Sequence, residues 1–510
     1  MSSATKVNAD PAEVEKTPVY DGHGTEEHPF VVEFQKDEPG NPMNWGSFRK
    51  WFVTFIATIS VFAVTLTSSA YSASANEVCQ DFDISSEVFT LGLSLFVLGF
   101  AIGPALWGPL SELYGRQKLW IITHVAMVAF LGGSAGSKNV ATLLILRFFA
   151  GTFGASPLVN SGGTIADLFL PAQRGLALTV YSVAPFLGPV LGPVMGGFIS
   201  EDVGWRWVQG VCTIFIGIVG ILGVIFIPET YGPVLLQQMA SRLAKMDGKF
   251  YISVLEKSQG KKKPSEVFQR ALFRPWIFLF LEPIVLIASV YMAIIYGTVY
   301  MFMGAMPIVY NEDRGWSEGI GGLSFLGIAV GIVFGLIYAI WDNNTRYMKL
   351  VLAKSTTAES RLPPAIVGAV TLPIGMFAFA WTNYPSIHCS VAIILSAPFG
   401  FGCVLVLLPI MNYLIDSYTI YAASVLAAAA IFRSVIGAVF PLFTTQMYHN
   451  LGIHWASSIP AFMTLLCVPF PLVMYWYGMK VRMKCKYSFE AAETMKKMQM
   501  QQAQVNQARG

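Results

Sequence analysis

Apolar runs of about 20 residues alternate with short polar connections from residue 51 to residue 478. A helix rises 1.5 Å per residue, so about 20 apolar residues cross the roughly 30 Å of hydrocarbon in a bilayer. Such runs are read at 51–71, 89–109, 119–136, 141–165, 175–199 and 207–228. A hydrophilic stretch, 229–274, follows, and six further runs lie at 276–303, 321–341, 363–381, 387–411, 421–443 and 458–478. The pattern predicts an all-α membrane protein of 12 transmembrane helices. Its expected divisions are a tail (1–49), a six-helix half (50–228), a central loop (229–274), a second six-helix half (275–480) and a last tail (481–510). Backbone polar groups find no water in lipid and are satisfied within the chain, which is why helices are the expected element.

Composition sharpens this picture. Of 510 residues, 54% are apolar and only 12% charged, with a mean hydropathy of +0.56; soluble chains are about 25% charged. The net charge of +3 says little, but its distribution is uneven. Arg49, Lys50, Arg116, Lys118, Arg174, Arg346, Lys349, Lys354, Arg361, Lys480, Arg482, Lys484 and Lys486 fall in one set of connections. The central loop adds Lys261, Lys262, Lys263 and Arg270. The opposite connections hold Lys138, Arg206 and Arg314 and little else. Lys and Arg favour the cytoplasmic side, so both termini and the central loop are expected there. No cleaved signal peptide is read before the first run. The acidic first tail (Asp10, Glu13, Glu15, Asp21, Glu26, Glu27, Glu33) is expected to be disordered. No basic stripe suited to nucleic acid is found. The six cysteines form no CxxC pair and read as small buried hydrophobes.

Three motifs follow one another in the first half. After span 2 comes Gly108-Pro-Leu-Ser-Glu112-Leu-Tyr-Gly115-Arg116-Gln-Lys118. Its glycines permit a tight turn, and Glu112, Arg116 and Lys118 could form a charge latch on the inner side. In span 4, Arg147, Gly151 and Gly154 share one helix face at i, i+4 and i+7. An Arg inside a span faces a cavity or a partner, since lipid would cost it a few kcal/mol; helix packing is the plainer role. In span 5, Gly188, Gly192 and Gly196 make a smooth face beside Gly197. Pro189 and Pro193 in the same span bend the helix.

These segments resemble the major facilitator superfamily: its loop motif G-x-L-[AS]-[DE]-x-x-G-R-x-[KR], its span-4 Arg motif and, in compressed form, its span-5 antiporter motif. Further stretches resemble the fungal members of the twelve-span drug:proton antiporter group. They are Asn41-Pro-Met-Asn44-Trp45, Trp205-Arg206-Trp207, Pro228-Glu229-Thr230, Leu281-Glu282-Pro283-Ile284 and Asn412-Tyr413-Leu-Ile-Asp416. The likeness covers roughly residues 41–480. It implies the major facilitator fold and export of a drug, toxin, polyamine or secondary metabolite in exchange for protons, with Arg147 linked to coupling. An uptake symporter on the same fold is the alternative, and the span-5 motif argues against it.

The transport chemistry is expected in span 7 and its neighbours. Glu282 lies in an apolar run, where a carboxylate could take up and release protons; the bland alternative is a helix cap. Ser289, Tyr296 and Tyr300 follow on about the same face and suit an amphipathic or cationic substrate. Asn412 is a candidate polar wall group. Arg433 in span 11 either pairs across the cavity or holds the second half together. No G-x(4)-G-K-[ST] loop, HExxH site or histidine box is found, so neither ATP hydrolysis, a metal nor a cofactor is expected. The expected partners are a small-molecule substrate, protons and the lipid bilayer, with the chain acting as a monomer in the plasma membrane.

Overall fold

The computed structural model describes residues 20–35, 38–260, 264–353, 355–384 and 386–509. Asp10, Glu13 and Glu15 of the first tail, and Lys261, Lys262, Lys263 and Lys354, lie outside the described residues. The chain divides into two units, Pro42–Tyr231 with Lys263–Gly510, and Met1–Asn41 with Gly232–Lys262.

The larger unit is a helical membrane body. Its first half holds α1 (Ser47–Ala70), α2 (Ser86–Tyr114), α3 (Arg116–Ala135), α4 (Val140–Leu168), α5 (Pro171–Tyr181), α6 (Ala184–Val203) and α7 (Trp205–Phe226). The second holds α8 (Pro264–Leu281), α9 (Pro283–Pro307), α10 (Leu326–Asp342), α11 (Pro363–Thr382), α12 (Ala397–Tyr418), α13 (Ala422–Cys467) and α14 (Pro469–Arg482), and α15 (Lys486–Arg509) closes the chain. Ten helical stretches among the described residues are long and apolar enough to span a bilayer. The last, Cys389–Arg482, has 94 residues. It is interrupted at Thr419–Tyr421 and at Gly452, whose φ of 73° breaks the helix, and so makes three passes. The body therefore has twelve. On α7, Ile214, Ile218, Ile221 and Ile225 recur on one face and are each more than half exposed. Such a continuous apolar band marks the surface that meets lipid in a multi-pass membrane protein.

Two expected spans are not continuous. Span 5 splits into α5 and α6 at 182–183. Span 7 is preceded by α8 and breaks at Glu282, whose extended backbone (φ −111°, ψ 100°) leads into Pro283 at the start of α9. Proline suits a first helical turn, where its missing N–H is not needed.

Lipid supplies no hydrophobic drive between helices, so close packing decides which pairs meet. At Gly99 of α2 and Gly151 of α4 an added Cβ would run into the opposing backbone.

The smaller unit corrects the reading of the acidic tail and the central loop. β1 (Phe30–Val32) pairs in parallel with β2 (Tyr251–Ser253), in the register Phe30↔Tyr251, Val31↔Ile252 and Val32↔Ser253. Val32, Leu236 and Ala240 form a small core with Tyr20, Phe34 and Tyr251 around it. Leu236 and Ala240 come from a helix, Gly232–Asp247. Asp21, Glu26, Glu27 and Glu33 thus belong to a structured segment. Local composition misled because the partner strand lies some 220 residues away in the sequence.

Candidate functional site

Arg147 stands two turns into α4 and is fully buried. Its Nε–H donates to the Gly92 carbonyl of α2 at 2.8 Å. One terminal NH2 donates to Gln209 Oε1 of α7 and the other to the Ser68 carbonyl of α1, both at 3.3 Å. Its guanidinium carbon lies 3.9 Å from the Tyr71 ring centre and 5.1 Å from that of Phe96. The charge is thus held by dipoles and ring faces, with no carboxylate among its described contacts.

Ser68 continues the contact into the second half. Its Oγ is 2.9 Å from the Tyr300 hydroxyl of α9. The Tyr300 and Tyr296 rings are 5.1 Å apart, and the Arg433 guanidinium of α13 sits 5.3 Å from the Tyr296 ring centre. The structure therefore joins four of the expected residues, Arg147, Tyr296, Tyr300 and Arg433, into one line across both halves. Ser68, Tyr71, Gly92 and Gln209 lie outside the sequence motifs. The signal available for Ser68 was the run Thr65-Leu-Thr-Ser-Ser69, unusually polar for a span.

Glu282, Ser289 and Asn412 are not part of that line. Glu282 is buried at the end of α9 that lies beside the Lys- and Arg-rich connections, called the basic side here. Its Oε2 accepts from the Tyr418 hydroxyl at 2.8 Å and its Oε1 from the Tyr487 backbone N–H at 2.9 Å. The expected position within a span is corrected to a helix end, where Pro283 resets the backbone. Ser289 is buried, and its Oγ has no partner among the described residues. Asn412 lines a small basic-side pocket of about 40 Å³ with Asp342, Arg346 and Arg361. A larger cavity, about 130 Å³, opens at the opposite side and is lined by residues of both halves, among them Asn76, Phe89, Pro193, Met303 and Glu318.

The basic-side latch differs from the expected one. Arg116 pairs with Asp167 at 3.2 Å and donates to Ser111 Oγ at 2.7 Å. Glu112 and Lys118 are exposed and in no ion pair among the described residues. Glu229, from outside the motif, lies at this turn instead. It accepts from the backbone N–H groups of Arg116 (3.0 Å), Gln117 (3.3 Å), Thr230 (3.0 Å) and Tyr231 (2.8 Å). The carboxylate satisfies free donors at the positive end of α3. Gly115 has φ 97°, and a Cβ there would strike Glu229 Oε2; a Cβ on Gly108 would make only ordinary contact with Val159, at 3.8 Å. Glu229→Ala is expected to cost about 1–2 kcal/mol, as lost caps do. The thermal midpoint of the detergent-solubilised protein checks this, and an unchanged midpoint removes the capping role.

The span-5 glycines lie on α1. A Cβ on Gly188 would meet Thr65, one on Gly192 would meet Ser69, and one on Gly196 would meet the Ala70 carbonyl. Thr65 Oγ1 also donates to the Ala184 carbonyl at 3.1 Å. Gly197 instead faces the Glu318 backbone, and the Pro193 carbonyl faces Gly322, both in the second half. Pro189 is buried within α6.

Comparison with known proteins agrees with this architecture. The Major Facilitator Superfamily model matches residues 51–441. The chain is 83% identical over 500 residues to the major facilitator-type transporter sorT of Penicillium rubens, covering 98% of this chain and 96% of that protein. It is 57% identical to the MFS-type efflux pump MFS2 of Trichophyton rubrum, covering 94% and 81% respectively. Among solved structures it resembles the proton:xylose symporter XylE of E. coli, with TM-score 0.61, 17% identity and 85% and 96% of the two chains covered. That last likeness concerns the fold alone. Such extensive identity, over a body of twelve passes, makes the chain a transporter of the Major Facilitator Superfamily, within the fungal group to which these relatives belong.

Proposed function

We propose that the chain exports a small organic molecule, a drug, toxin, polyamine or secondary metabolite, in exchange for protons. The observation that carries this is α6. Its glycines seat three successive turns on α1, while Gly197 and Pro193 of the same helix meet the second half. A helix rigid against its own half and smooth toward the other suits a surface that opens and closes as the halves rock. The Trichophyton rubrum relative, named an efflux pump, supports the outward direction. The positive-inside pattern supports cytoplasmic termini, and we assign the chain to the plasma membrane as a monomer.

Coupling is assigned to Glu282 and Arg147. Arg147 is the fixed cation at the centre. Glu282 is the carboxylate that ties the start of α9 to the end of α12 and to the last helix, α15. Protonation weakens a charge-assisted tie, so proton binding favours the state in which this junction is open. Glu282→Gln is expected to leave the protein in the membrane while export no longer follows the proton gradient. Export that still collapses with a protonophore in this variant sinks the coupling role. Direction is tested with cells preloaded with planar aromatic dyes of either charge. Cells carrying the chain are expected to retain less dye than cells lacking it; greater retention would mean uptake.

A further inference from the structure

Two arginines stand within the spans of the membrane body, and their surroundings differ. Arg147 has each of its guanidinium nitrogens engaged. Arg433 does not. Its Nε is buried and has no acceptor among the described residues. One terminal NH2 reaches only the Met411 sulfur, at 3.9 Å, a weak acceptor. The groups facing it from α5, α9 and α12 are Tyr181, Tyr296 and Tyr300, and Met411. None is a carboxylate, and the Tyr181 hydroxyl already donates to the Leu158 carbonyl at 2.8 Å. The apolar middles of α1, α4, α9 and α13 contain no Asp or Glu either. A guanidinium within a span is costly without a counter-charge, and none of the described residues facing Arg433 provides one.

The geometry points to a substrate that brings the missing acceptor: a planar aromatic or conjugated organic acid, carried as its anion, whose paired oxygens meet the Arg433 guanidinium while its flat body lies against Tyr296 and Tyr300. This rests on the export reading and narrows it, replacing the cationic substrate that the tyrosines alone suggest. A planar fork matches two oxygens of a carboxylate or enolate in two parallel hydrogen bonds. The two rings, 5.1 Å apart and inclined at 58°, give the flat body one apolar ring face to lie on, beside the Arg433 guanidinium that already sits over Tyr296.

The test uses three probes of one shape: 2-naphthoate, 2-naphthamide and 2-naphthylmethylammonium. Efflux of each is measured from cells carrying the full chain, Arg433→Gln or Arg433→Lys, with the membrane abundance of each variant measured alongside. Naphthoate is expected to leave wild-type cells roughly tenfold faster than the ammonium probe, about the value of one bidentate charged contact. Arg433→Gln is expected to remove that advantage, so that naphthoate loses about tenfold more than naphthamide does in the same variant. Arg433→Lys keeps the charge and is expected to recover part of it, which covers the case in which the glutamine variant fails to fold. Preference for the ammonium or the amide overturns the inference and leaves export intact. Equal losses of naphthoate and naphthamide in a well-inserted variant overturn it too, since they mark a packing role. Efflux of none of the three by wild-type cells overturns it together with the export reading.

Discussion

Gly196→Ala is expected to abolish export. The added Cβ would collide with the carbonyl oxygen of Ala70, and with its C and Cα atoms behind. These are backbone atoms of α1, so no rotamer change relieves the clash and the two helices have to part. Overpacking of this kind costs about 1–3 kcal/mol. Since 1.4 kcal/mol is a factor of ten, a loss of roughly tenfold or more in export is expected, with lower abundance if the pair fails to assemble. Gly162→Ala is the matched control. Gly162 is also helical, in α4, but nothing lies within 4 Å of its added Cβ. There the substitution is expected to be neutral or to stabilise by up to about 1 kcal/mol, because alanine favours the helix. Export and thermal midpoint measured for the two variants separate them; equal behaviour would show that close approach of α1 and α6 is not what these glycines provide.

Arg147→Lys is expected to be nearly as damaging as Arg147→Ala. One guanidinium serves acceptors on α1, α2 and α7 at once, and a lysine ammonium on its single stem cannot reach all three directions. Each stranded buried acceptor costs about 1–3 kcal/mol. The alanine variant also forfeits the ring contacts with Tyr71 and Phe96. A drop in thermal midpoint together with loss of export in both variants is the expected result. Full export by the lysine variant would reduce the role of Arg147 to its charge alone.

The twelve passes were legible in the sequence because each is a long apolar run, and hydrocarbon thickness leaves little choice of element. The interruptions at 182–183 and at Glu282 were not, since a proline that begins a helix reads in one dimension like a proline inside it. That Arg147 and Arg433 lie within spans could be read from their apolar flanks. Their partners could not: the Ser68 and Gly92 carbonyls are backbone groups that sequence pattern does not mark, and Gln209 is 62 positions from Arg147. Glu282 misled for the same reason, as the N–H that holds it belongs to Tyr487, 205 residues further on. The latch shows a local failure of another kind. Glu112 and Lys118 stand within the motif, yet a helix turns them outward, while Glu229 comes from the end of a distant span.

The parallel pairing of Phe30–Val32 with Tyr251–Ser253 has a consequence for biosynthesis. The first strand leaves the ribosome early, and its partner is translated only after all six passes of the first half. At about 5–20 residues per second, the interval is roughly ten to forty seconds. Throughout that time the valines of the early strand wait without their sheet neighbour, while insertion of the first half proceeds. Closing the pair then registers that translation has moved beyond the midpoint.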